Sequence, residues 1–506
     1  MPRARATSPW TDSPLIEPGP LREDLRTDVC VVGAGIAGLS TAYALASEGK
    51  RVVVLDAGPL AGGETSRTTA HLTNAIDDRY LEIERLHGPE GARICAESHT
   101  QAIDAIERTA RTERIDCDLE RVDGYLFEGG EDEPASLEEE LDAARRAGLA
   151  GVDLVPRAPL ESFDTGPCLR FRRQARFHPL KYLRGLSEAI AGQGGRLFDS
   201  TRVQDVEEDE PARVVTEDGP VVTADHVVVA TNSPFNNRFA IHTKQAPYRT
   251  YAIAMEVPRG AVPDALYWDT LDPYHYVRLA PGAEAGAELL IVGGEDRRPG
   301  DEDDHEGRFD ALEWWTDDRF PMRGEIAFRW SGQVMEPGDG VAFIGRNPGS
   351  RENVYIVTGD SGMGMTHGAI AGLLLPDLVM GRENPWARLY DPSRITLGAV
   401  GRFLEDGAAV AGTMAEWFSA GDVDSVDEIA PGSGAIVRHG ATKVAAYRDP
   451  DGRLHERSAA CTHLGCVVAW NPVAESWDCR CHGSRFDPYG RVLSGPAVVD
   501  LKSVED

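Results

Sequence analysis

The sequence predicts an α/β domain of Rossmann type followed by a small all-β module, and three observations carry that prediction. A strand, a glycine-rich turn, a helix and a second strand follow one another from residue 28 to residue 56. A second glycine-rich turn, near residue 362, runs into an apolar helix. Residues 421–506 are short-stranded and turn-rich, and hold four of the eight cysteines. A length of 506 residues suggests about three domains, and a hydrophobic fraction of 42% is ample for globular cores.

The first unit reads Asp28-Val-Cys-Val-Val-Gly33-Ala-Gly35-Ile-Ala37-Gly38, continues as a helix to Gly49, and resumes as Arg51-Val-Val-Val-Leu-Asp56. The acid ends the second strand, 18 residues after Gly38. Glycines there permit a tight turn and let a pyrophosphate approach a helix N-terminus, while Asp56 can accept from ribose hydroxyls. A bare glycine triplet signals only a turn. The strand, helix and acid around this one make it a dinucleotide fingerprint.

Ala61-Gly-Gly-Glu-Thr65-Ser66-Arg67-Thr68-Thr69-Ala70-His71-Leu72 is a small-residue loop with one arginine, suited to phosphate and flavin contacts. Much later a strand ends in Ala230-Thr231-Asn232, and Gly359-Asp-Ser-Gly362-Met363-Gly364-Met365-Thr366 leads into the apolar helix. Taken in order, these pieces resemble the FAD-dependent oxidoreductases of the D-amino-acid-oxidase and glycine-oxidase superfamily over about residues 25–385. The resemblance implies an α/β FAD-binding Rossmann-like domain with an inserted α+β substrate domain. The FAD-binding parts fall near 28–80, 170–235 and 335–385. It also puts Val203 at the adenine and the 362–366 turn under the flavin pyrimidine. A helix N-terminus there would stabilise the anionic edge of a reduced flavin.

Residues 245–296 carry a dense aromatic and basic cluster, and the resemblance lays this sheet over the flavin. Tyr248, Arg249, Tyr251, Tyr274 and His275 are therefore the candidates for the substrate pocket, although each can equally pack the sheet. No catalytic residue is singled out. His178 in Arg176-Phe-His178-Pro179 reads as structural. The charged stretches 129–140 and 300–306 read as solvated surface.

The C-terminal module carries the most specific signal: Cys461-Thr-His463-Leu-Gly-Cys466, then, after twelve residues, Cys479-Arg-Cys481-His482-Gly-Ser484. Cys461 with Cys479 can supply two thiolates to one iron, and His463 with His482 two imidazoles to another, the ligand set of a Rieske [2Fe-2S] centre. Cys466 and Cys481 are left over and can pair with each other. Tetrahedral zinc is the rival reading of two Cys and two His. Zinc does not account for the extra cysteine pair, the Gly-Ser after His482, or Gly495-Pro496-Ala497. The loops resemble those of respiratory-chain Rieske proteins, in which a serine and a tyrosine after the ligand histidine hydrogen-bond the cluster. Here Ser484 is present and Phe486 stands at the tyrosine position.

The expected organisation is an N-terminal extension (1–27), an oxidoreductase domain (28–390), a connecting amphipathic helix or linker (391–420) and an all-β Rieske domain (421–506). With Trp10 and the Arg67 to Leu72 run, the whole resembles bacterial FAD-dependent oxidoreductases with a C-terminal Rieske domain. That resemblance implies a dehydrogenase of a small amine, amino acid or similar molecule that passes electrons from FAD to the cluster. The alternatives are a flavin/iron-sulfur relay between protein partners and a plain oxidase, which leaves the cluster unexplained. A one-electron acceptor or donor protein, or a quinone, is the expected second partner.

A formal charge of −31 argues against nucleic acid and anionic membranes. Residues 1–27 have no apolar core of a signal peptide, and no apolar run of about 18 residues occurs, so the expectation is a cytoplasmic protein without a transmembrane segment. A disulfide would be unusual there. The scattered Cys30, Cys95, Cys117 and Cys168 read as buried apolar residues.

Overall fold

Valine-rich segments buried on both faces build a largely parallel sheet, as such runs do when helices cover both sides. Leu25–Val32 lies at its centre, pairing in parallel with Val221–Val229 on one side and Val52–Leu55 on the other. Arg196–Phe198 extends one edge, and Val354–Thr358 with Phe343–Arg346 the other. The computed structural model describes residues 5–13, 16–130, 137–236, 241–284, 286–298, 304–399, 401–402, 410, 412–440 and 442–504. Among these, no helix is long and apolar enough to cross a membrane.

Helices Ile36–Ser47 and Gly364–Val379 cross closely on this sheet. A Cβ on Gly368 would lie 2.6 Å from the Ile36 side chain, so glycine is what lets the two helices approach. Their N-termini consequently open on one cavity. Gly33 takes a left-handed φ of 103°, and a Cβ there would stand 2.3 Å from the Ala230 carbonyl oxygen. Only glycine satisfies both conditions.

A second, mainly antiparallel sheet of nine strands among the described residues roofs the cavity. Its order runs Ile326–Pro337, Gln245–Pro258, Ala287–Arg297, His275–Pro281, Leu266–Asp269, Glu120–Phe127, Cys168–Arg176 and His71–Leu72, with Val152–Val155 alongside. The C-terminal module consists of a three-stranded sheet (Ser433–His439, Thr442–Arg448, Leu454–Ser458) and a four-stranded one (Val468–Asn471, Ser476–Cys479, Arg485–Phe486, Val492–Ser494).

Several local expectations change. Glu140, assigned from sequence to a solvated charge run, is buried in helix Leu137–Arg146 and accepts from the Tyr80 and Leu81 amides at 2.8 and 3.0 Å. It satisfies donors at a helix start that would otherwise be orphaned. Residues 131–136 of that run lie outside the described residues, as do 300–303 of the second; its Asp304 caps helix His305–Arg319 by accepting from the Gly307 amide. Of the stretch expected as a connecting helix or linker (391–420), residues 400, 403–409 and 411 lie outside them too, and Leu397–Ala399 is a 3-10 turn. Near the end of the stretch, Glu416–Phe418 is another short 3-10 turn. His178 caps helix Pro179–Gly192, accepting from the Lys181 amide, and packs edge-on against Trp10. Trp10 in turn donates to the Thr68 carbonyl at 2.6 Å, bracing the 67–72 loop from outside.

Candidate active site and cluster-binding loops

A cavity of about 320 Å³ lies between the two sheets. At one end it is walled by Gly33, Gly35, Ala37, Asp56, Thr65 and Val203, and further along by Arg67, Thr68, Thr69, His71, Ala230 and Thr231. Gly359, Gly362, Met363, Gly364 and Met365 close its inner side. Asp56 binds the turn itself, accepting from the Ala34 amide (2.7 Å) and the Gly58 amide (2.9 Å). Thr65 accepts from the Ile36 amide at 3.2 Å. Beyond Gly35 a Cβ would meet only Thr65 Oγ1, at 3.1 Å, so the space in front of this helix N-terminus belongs to the cavity. Two helix N-termini, a glycine cradle and an acid at the strand end fit a dinucleotide.

Three of the expected contact residues stand back from the cavity. Gly38 packs against the Gly33 carbonyl, which a Cβ would strike at 1.9 Å. The Ser66 hydroxyl donates to the Gly63 carbonyl at 2.8 Å, and Thr366 pairs with His99 at 2.8 Å. They shape the loops that make contact.

Of the five pocket candidates, Tyr274 lines the cavity and four do not. Tyr251 points to the opposite face of its strand, where its hydroxyl meets His305 Nδ1 at 2.7 Å; its neighbours Thr250 and Ala252 face the cavity. His275 likewise turns away, pairing with Asp269 (2.8 Å) and stacking on Trp315, while the adjacent Tyr276 faces inward. Alternation along a strand makes such neighbours exclusive. Tyr248 lies under the Arg298 guanidinium. Arg249 donates to the Ser331 hydroxyl and forms an ion pair with Asp478 of the C-terminal module.

Trp268 and Tyr276, from the same 245–296 aromatic cluster, are also in the wall, as are Asp77, Asp296, Gln333 and Asp360, which sequence reasoning passed over. Burial pushes the Asp77 and Asp296 carboxyls each up to about 7 and that of Asp360 to about 6. His71 is held neutral, its pKa lowered to about 3 chiefly by burial and further by Arg278.

In the C-terminal module a disulfide joins Cys466 to Cys481, tying the two loops together. Cys479 Sγ lies within 4.8 Å of both disulfide sulfurs. Cys461 stands beside Cys479, and a hydrogen bond between them lowers the Cys461 thiol to about 7. The His463 and His482 rings are 5.0 Å apart. Burial lowers His482 to about 4, and its Nδ1 is buried without a hydrogen-bond partner among the described residues. A ready thiolate, a neutral imidazole and an uncommitted ring nitrogen are the states a metal centre requires. These residues fit a cluster with Cys461, Cys479, His463 and His482 as ligands. The Ser484 hydroxyl accepts from the Ala497 amide at 3.0 Å, tying the third loop to the second and leaving its hydrogen for the Cys461 sulfur.

The module sits on the cavity. Leu493, Ser494, Gly495, Ala497 and Val498 form part of the cavity wall. Gln333 donates to the carbonyl of Gly483, next to His482, at 3.0 Å, and Arg202 donates to the Val492 carbonyl at 2.6 Å. His242, from the loop that begins with cavity residues Ala230 and Thr231, lies edge-on to both His463 (5.0 Å) and His482 (5.4 Å). Arg485 spans Glu64 and Asp478.

Comparison with known proteins agrees with this geometry. Residues 28–378 match the family described as FAD dependent oxidoreductase (DAO), and residues 417–505 match the Rieske [2Fe-2S] domain. The Rieske-type protein YhfW of Bacillus subtilis (strain 168) is 32% identical over 490 residues, 96% of this chain and 94% of its own. Gamma-glutamylputrescine oxidoreductase of Escherichia coli (strain K12) is 30% identical over 381 residues, 71% of this chain and 85% of its own. Glycine oxidase from Geobacillus kaustophilus superposes with a TM-score of 0.62 at 18% identity, covering 73% of this chain and 99% of that one, which shows a shared fold. The oxidoreductase domain binds FAD and the Rieske domain a [2Fe-2S] cluster. The chain belongs to the FAD-dependent oxidoreductase (DAO) family, in a form that ends in a Rieske domain.

Proposed function

We propose that this enzyme is a dehydrogenase of a small amine or amino acid, and that its electrons pass from FAD to the Rieske cluster of the same chain. The observation that carries this reading is that the third Rieske loop, residues 493–498, forms part of the wall of the flavin cavity. When bound, FAD would supply two-electron oxidation of the substrate and single-electron release, which suits a chain that also carries a one-electron centre. In balance, R–CH2–NH2 becomes R–CH=NH with loss of two electrons and two protons.

The roles of the chain's own residues follow from their places. Gly33, Gly35, Asp56, Thr65 and Val203 would hold the nucleotide, and the Gly362 to Gly364 turn would offer helix amides to the flavin's pyrimidine edge. Thr250, Trp268, Tyr274 and Tyr276 would bound the substrate, and the 493–498 loop forms part of the same wall. Gln333 and His242 hold the cluster loops against it. We assign the onward step to a one-electron acceptor protein or quinone.

Anaerobic mixing with candidate amines and amino acids tests the proposal. Flavin absorbance should bleach, and the EPR signal of the reduced Rieske cluster should appear with it. Bleaching only by NAD(P)H or a reduced protein would replace the dehydrogenase with an electron relay. Bleaching without a Rieske signal would remove the cluster from the route.

A further inference from the structure

The substrate end of the cavity is acidic and aromatic. Asp77, Asp296 and Asp360 line it together with Trp268, Tyr274 and Tyr276. Asp77 accepts from the Tyr274 hydroxyl at 2.9 Å, and a Cβ on Gly362 would lie 1.9 Å from Asp77 Oδ2, so this carboxylate abuts the turn assigned to the flavin's pyrimidine edge. Asp296, facing it from strand Ala287–Arg297, has one carboxylate oxygen buried without a hydrogen-bond partner among the described residues. Behind them the Ser361 hydroxyl lies 2.9 Å from an oxygen of Asp78 and from one of Glu336; it can donate to only one of them, and burial raises both carboxyls.

Cations are placed elsewhere. Among the described lining residues the only Lys or Arg side chains are Arg67 and Arg202. Arg67 donates to the Ser331 carbonyl at 3.1 Å, and Arg202 donates to the Val492 carbonyl beside Val203, at the nucleotide end. A substrate carboxylate at the acidic end would meet like charge, whereas an ammonium would find both carboxylate acceptors and aromatic faces. The nitrogen that is oxidised must be neutral to release electrons, so the charge held by these acids belongs to a second nitrogen.

We propose that the substrate is a diamine or polyamine, held by Asp77 and Asp296 through an ammonium group remote from the carbon that is oxidised. This rests on the dehydrogenase reading and narrows its substrate class. Burial, with neighbouring acids, raises both carboxyls to about 7, so each is about half ionised near neutral pH, and a bound ammonium would favour the charged forms.

The test is anaerobic titration of the holoenzyme with putrescine, spermidine, butylamine and γ-aminobutyrate, following flavin bleaching and the Rieske EPR signal. Either putrescine or spermidine should half-saturate at a concentration at least about tenfold below butylamine, with γ-aminobutyrate the weakest. Asp296→Asn and Asp77→Asn, each at wild-type flavin content, should shrink the dication-to-butylamine ratio by about tenfold. Equal or tighter use of butylamine or γ-aminobutyrate, with the Rieske signal appearing, would overturn the dication while leaving the dehydrogenase intact. So would a preference that survives both substitutions. Failure of every amine and amino acid to bleach the flavin, while NADH or a reduced protein succeeds, would overturn both readings.

Discussion

Replacing Arg249 with methionine should loosen the Rieske module from the flavin domain. The side chains of Arg249, Asp478, Arg485 and Glu64 are only 5%, 12%, 4% and 16% exposed, and together they join the two domains. Removing one partner of a buried pair typically costs about 3–5 kcal/mol, because the other charge stays desolvated. Asp478 would keep Arg485 at 3.3 Å, Asn471 at 2.7 Å and Ser476 at 2.8 Å, so the lower end applies. About 3 kcal/mol corresponds to a roughly 150-fold larger opening equilibrium. Hydrogen exchange reads this directly: interface amides, such as those of Ala497 and Gln333, should exchange about two orders of magnitude faster, while amides of strand Leu25–Val32 keep their protection. Flavin content and the EPR spectrum should be unchanged. Unaltered interface exchange together with a raised KM for the amine would refute this, and would return Arg249 to the substrate pocket.

Cys461→Ser or His482→Ala should abolish the Rieske EPR signal while FAD stays bound, since both ligands belong to the C-terminal module; purified wild-type protein holding zinc without iron would contradict this. Gly35→Val should sharply lower FAD occupancy, because the added side chain enters the space before the helix N-terminus, and full yellow colour in that variant would mean the pyrophosphate lies elsewhere. Phe486 is fully buried in one core with Cys461 and Cys479, so a hydroxyl added by Phe486→Tyr should raise the cluster's midpoint potential; a net hydrogen bond of about 1 kcal/mol corresponds to about 40 mV, and an unchanged midpoint in EPR-monitored titration would show that this position does not tune the cluster.

The two motifs legible in the sequence are local. In Gly33 to Asp56 the strand, turn, helix and acid lie within one unit, and their spacing alone carries the geometry of a nucleotide site. The pairs Cys461 with His463 and Cys479 with His482 are equally short, because loops of a few residues must aim their ligands at one centre. The roofing sheet behaves differently. Its aromatic richness is visible in the sequence, yet Tyr251 and His275 point away while their neighbours Thr250 and Tyr276 line the cavity. Composition reveals a strand's period of two but not its phase, which depends on which face its neighbours cover. Arg249 became a docking residue because Asp478, 229 positions away, is buried against it. Asp77 and Asp296 carry no local signal either: acidic residues usually mark surface, and only the closing of the nine-stranded sheet over a glycine-rich turn buries these two at one end of a cavity. The sequence by itself determined the cofactors and the order of the domains. The substrate end, and the placing of the cluster loops on the flavin cavity, came only from contacts between segments far apart in the chain, where burial and charge pairing act through space rather than along it.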